Sequence, residues 1–85
     1  MAIAANRLGQ KNKGFKGRIS AFDKAAGQTG GVEMIDRLRE LGFSEGLRVE
    51  LLHQSPFGKD PIAISVEGMT VALRRQQANM IIVES

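Results

Sequence analysis

LRVELLHQSPFGKDPIAISVEGMTVALRRQQANMIIV, residues 47–83, decides the fold. Leu47, Val49 and Leu51 alternate with Arg48 and Glu50, the period of a strand with one buried face. A second strand is expected over residues 61–67, with Ile62, Ile64 and Val66 inward. Gly68 then reverses the chain into residues 69–74, where Met69, Val71 and Leu73 alternate with Thr70, Ala72 and Arg74, so these two segments form a hairpin. RQQAN, residues 75–79, leaves room for a single helical turn before the last apolar run, Met80 to Val83.

Upstream lies the clearest helix pattern. In VEMIDRLRELGF, residues 32–43, Met34, Ile35, Leu38 and Leu41 recur at helical spacing and mark one apolar stripe. Glu33 and Asp36 near its start and Arg37 and Arg39 near its end complement the helix dipole, and Gly42 suits a left-handed stop. Before it, GRISAFDK, residues 17–24, puts Ile19 and Ala21 on one face while Phe22 breaks the alternation, as a bulged strand or one buried on both sides would. Residues 25–31, small and glycine-rich, read as a flexible loop, and residues 1–16 as a loosely ordered basic arm. Consecutive antiparallel strands with one helix inserted after the first predict an all-β fold, a small closed or nearly closed barrel over residues 17–85. The absence of crossover helices excludes parallel α/β layers.

Composition narrows the function. Eighty-five residues, 42% hydrophobic and 25% charged, suit one self-folding domain. With no cysteine there is no disulfide and no thiolate metal site. The longest apolar run falls far short of the ~20 residues of a spanning helix, and the first residues lack the basic-then-apolar pattern of a signal peptide. Residues 1–24 carry six basic residues against one acid, Asp23, whereas the remainder carries six against eight. Such an arm attracts phosphates or an acidic protein face, or is simply a solvated terminus.

No catalytic set emerges. The single histidine, His53, ends an apolar strand without a serine and acid in register, and no second His or Cys could share a metal with it. The carboxylates are scattered singly, so no iron site and no cofactor is expected. Residues 9–16, GQKNKGFK, miss the phosphate loop pattern, because Phe15 follows Gly14 and no Ser or Thr follows Lys16.

Two features point instead to a partner. Phe57 sits between the turn formers Pro56 and Gly58, either offered at a loop tip or folded back over the barrel mouth. Arg74 and Arg75 are a cationic pair that could touch an acidic partner or serve as an arginine finger on a GTPase, or else a solvated strand end.

Residues 37–83 resemble the ferrous iron transport protein A (FeoA) family. The resemblance rests on Leu38, Glu40, Leu41 and Gly42 with Gly46 after them, the loop with Pro56, Gly58 and Pro61, Gly68, and Ala72, Leu73 and Arg74 followed by a short helical turn. It implies an SH3-like barrel, a cytoplasmic location, and assistance to FeoB, a membrane transporter of ferrous iron with a cytoplasmic G domain. The expectation is a non-enzymatic adaptor that reaches the membrane only through that partner and contacts it through Pro56, Phe57, Gly58, Arg74 and Arg75. The alternative, a basic barrel binding RNA or single-stranded DNA, is disfavoured by the lack of Trp and Tyr for stacking, so no stable nucleic-acid complex is expected. Oligomeric state is left open.

Overall fold

The computed structural model describes residues 6–23 and 31–85. Its elements run in the order η1 (Leu8–Gln10), a turn of 3-10 helix; β1 (Lys16–Phe22); α1 (Gly31–Glu40); β2 (Arg48–Gln54); β3 (Ile62–Val66); β4 (Met69–Leu73); α2 (Arg75–Ala78); and β5 (Ile81–Glu84). Five strands form one antiparallel sheet in the order β4-β3-β2-β1-β5, with one helix inserted after β1 as the alternation predicts. Most of the loop expected at 25–31 lies outside the described residues.

Among the described residues no second layer is large enough to cover the sheet, so it curls on itself. Among the described residues α1 is the only full helix, and Leu38 is its one large buried side chain. The inward residues of all five strands therefore meet each other: Ile19, Leu51, Ile64, Leu73 and Val83 belong to one cluster. Two irregularities permit the curvature. The β1–β5 register shifts between Ile19 and Ala21, which is the break in alternation visible at Phe22, and the β2–β3 register shifts between Leu51 and His53. β1 also divides its pairing, meeting β2 through Lys16–Arg18 and β5 through Arg18–Phe22.

Three expectations change. Residues 6–15, read as part of a loose arm, are built into the domain: Leu8 is fully buried, Arg7 bridges Ile82 of β5, and Phe15 and Leu51 are joined through a backbone bond of 2.9 Å. One leucine can anchor such a segment although its neighbours are polar, because the backbone supplies the remaining bonds. Met69 and Leu41, both assigned to inward stripes, are 50% and 38% exposed. Met69 begins an edge strand and Leu41 follows the last residue of α1, so each stripe runs past the end of the core. Finally, Met80 is buried ahead of β5, which starts at Ile81.

Candidate functional site

The loop between β2 and β3 presents Phe57 with 86% of its surface exposed, and Pro56 and Gly58 are exposed beside it. The alternative of a lid folded over the core is not adopted. The loop is nevertheless held. Ser55 N–H donates to the Pro61 carbonyl at 3.0 Å, and the Phe57 N–H donates to Ser55 Oγ at 3.1 Å. Lys59 takes a positive φ of 63°, and the Asp60–Pro61 peptide is cis. Serine bonding to the backbone two residues on is the ordinary chemistry of a tight turn. The ring thus projects from a loop whose base is fixed.

Arg75 supplies much of that fixing. Its Nε donates to the Lys59 carbonyl at 2.7 Å, one terminal nitrogen to the carbonyls of Gly9 (3.0 Å) and Lys11 (2.6 Å), and the other to Gln54 Oε1 at 3.1 Å. Its backbone N–H donates to the Asp60 carboxylate at 2.9 Å, so Asp60 caps the start of α2 from another part of the chain. A planar fork of five donors can hold several carbonyls at once, which an ammonium on a flexible stem does not. Arg75 therefore faces inward as a clamp joining η1, the 55–60 loop and α2. Arg74 is exposed, and its backbone N–H is satisfied by Gln77 Oε1 at 2.9 Å. The two halves of the expected surface, the loop and the arginine pair, are thereby brought together, and the arginines differ in setting: Arg74 is exposed, whereas the Arg75 side chain is bonded to the loop and to η1.

Two contributors were not legible in the sequence. Asp60 looked like one of several isolated acids, and Gly9 like part of a mobile arm. A Cβ on Gly9 would overlap the Arg75 carbonyl oxygen and Asn79 Oδ1, so the clamp requires glycine there for space. The charge pattern Lys59–Asp60 followed fifteen residues later by Arg75 carries no local period that would reveal such a knot.

His53 lies exposed on β2. Among the described residues no group of three or more His, Cys, Asp or Glu side chains is placed to hold a metal ion. Among them, too, no helix is long and apolar enough to cross a membrane. Elsewhere, Arg39 pairs with both oxygens of Glu45 at 2.8 and 2.9 Å and lies over the Phe22 ring at 4.6 Å, joining the end of α1 to the turn before β2 and to the end of β1.

Comparison with known proteins agrees with this architecture. Stenotrophomonas maltophilia FeoA, solved with zinc and described as an SH3 domain protein and a candidate activating factor for bacterial ferrous iron transport, superposes with a TM-score of 0.79. It is 25% identical, over 94% of this chain and 91% of its own. The iron(II) transport protein A of Clostridium thermocellum superposes with a TM-score of 0.76 at 27% identity, over 92% of this chain and 44% of its own. A manganese-dependent transcriptional repressor shares the fold at 21% identity and a TM-score of 0.77, over 100% of this chain and 44% of its own. No curated protein matches the sequence. The FeoA domain matches residues 6–85, a span that takes in the segment around Leu8, and the chain belongs to the FeoA domain family.

Proposed function

We propose that this protein is a cytoplasmic accessory factor of ferrous iron uptake, which binds and regulates a FeoB-type membrane transporter through protein–protein contacts and is not itself an enzyme. The observation that carries the reading is the exposed Phe57 ring on a loop whose base Arg75 and Asp60 tie down. An aromatic held out on a rigid support loses little entropy on binding and supplies a large apolar contact, the usual profile of an interface anchor. Arg74, exposed at the neighbouring start of α2, adds a positive charge for an acidic surface.

Family membership supports the link to iron transport, and the description of the Stenotrophomonas relative supports an activating role. Stimulation of GTP hydrolysis through an arginine finger is left to Arg74, since the guanidinium of Arg75 is engaged with carbonyls of its own chain. The test is a backbone amide titration of this protein with the transporter's cytoplasmic domain. Shifts centred on residues 55–60 and 74 support the reading. An unperturbed spectrum at high concentration of both that domain and the detergent-solubilised transporter rejects it.

A further inference from the structure

The two edges of the sheet are treated differently. Along β5, Arg7 bridges Ile82, and the Val83 N–H donates to the Asn6 carbonyl at 2.7 Å, so the N-terminal segment covers that edge. Along β4 nothing does: among the described residues, Met69–Leu73 bonds to β3 alone. The strand MTVAL contains no charge, proline or glycine, the devices that ordinarily protect an open edge.

The hairpin geometry says which groups are open. Val66 and Met69 close a two-residue turn whose central residues, Glu67 and Gly68, both have positive φ (50° and 79°), as in a type I′ turn. The closing pair of such a turn exchanges both of its hydrogen bonds, so Met69, Val71 and Leu73 direct their backbone groups to β3, and Thr70 and Ala72 direct theirs outward.

We infer that β4 is a self-pairing edge, at which two copies of this protein join their sheets antiparallel about a two-fold axis through Val71. Only this register lets the outward backbone groups of Thr70 meet those of Ala72 in the other copy, with both bonds exchanged at each pair, while keeping the buried faces of the two sheets on the same side. It also sets Val71 against Val71 as a close non-hydrogen-bonded pair and Met69 against Leu73, which covers the half-exposed Met69 and the partly exposed Val71 at the lip of the core. Charge agrees. The register brings Glu67 of each copy near Arg74 in the other, just past the end of β4, and neither Glu67 nor Arg74 has an ion partner among the described residues. A five-residue edge covers less surface than the ~1,200 Å² or more of a stable specific interface, so the dimer is weak and concentration-dependent.

The test uses the full chain in sedimentation velocity from about 10 μM to about 1 mM, a range that brackets weak association. Wild type shifts from monomer towards dimer. Thr70→Lys/Ala72→Lys, at two exposed positions outside the core, opposes lysines in both facing pairs and weakens association at least about tenfold, whereas Thr70→Lys/Ala72→Glu opposes Lys to Glu and retains it. Circular dichroism confirms that both variants are folded. A monomer throughout the range overturns the inference, as does equal association of the two variants, or an edge that takes up an added extended peptide while the chain stays monomeric.

Discussion

Asp60 accepts the backbone N–H of Arg75 at 2.9 Å while the Arg75 side chain reaches back to the carbonyl of Lys59, so the two segments hold one another in both directions. The consequence is that a loop with exposed Pro56, Phe57 and Gly58 and no apolar anchor of its own has a defined position. Order in this loop is polar and directional, and it is borrowed from α2.

Replacing Arg75 should therefore loosen three segments at once. Arg75→Ala leaves the carbonyls of Gly9, Lys11 and Lys59 without their donor, and the loss should be at least about 1.5–3 kcal/mol, the range for one hydrogen bond to a charged group. Arg75→Lys should recover only part of it, because an ammonium cannot reproduce the fork. Thermal unfolding measures both, and faster amide exchange in residues 8–14 and 55–60 of the Arg75→Ala protein distinguishes a broken clamp from a uniform weakening.

Phe57→Ala should behave in the opposite way. With the residue already 86% exposed, stability should change by no more than about 0.5 kcal/mol. Affinity for the transporter's cytoplasmic domain, measured by calorimetry, should fall at least about tenfold if the ring is an anchor.

Leu8→Ala tests whether the first segment is part of the domain. The side chain is fully buried in the common core, so truncation should cost about 2–5 kcal/mol in denaturant unfolding. A freely moving arm would give nearly zero.

The Arg39–Glu45 pair gives a pH signature. Its hydrogen bond to Arg39 is the main cause holding the Glu45 carboxyl below the usual glutamate range, and the same bond raises the Arg39 pKa. Because the folded value is the lower one, the pair's contribution is fully present above the ordinary glutamate pKa of about 4.3 and is lost as pH falls through the depressed folded value. Wild type and Glu45→Gln should differ in melting temperature near neutrality and converge in acid. Both groups are open to solvent, so the gap should be small and should narrow further with salt.

Gly9→Ala should destabilise although no side chain is removed. The added methyl would force apart η1 and the segment carrying Arg75 and Asn79, an overpacking cost of about 1–3 kcal/mol visible as a lowered melting temperature.

The sequence by itself determined the strands, the hairpin and the helix, because burial on one side of a strand or helix imprints a period on neighbouring residues. Ile62, Ile64 and Val66 inward, α1 around Leu38, and the broken alternation at Phe22 could all be read from that imprint. It also offered Phe57, since a ring between Pro56 and Gly58 has few ways to be covered. Only the tertiary structure decided that Leu8 belongs to the core, that Arg75 is a clamp while Arg74 is open, and that, among the described residues, β4 rather than β5 is left as a bare edge. Those facts depend on contacts between residues more than sixty positions apart, such as Gly9 with Arg75 and Arg7 with Ile82. Hydrogen bonds and edges of that kind have no period along the chain, because their geometry exists only once the sheet has curled.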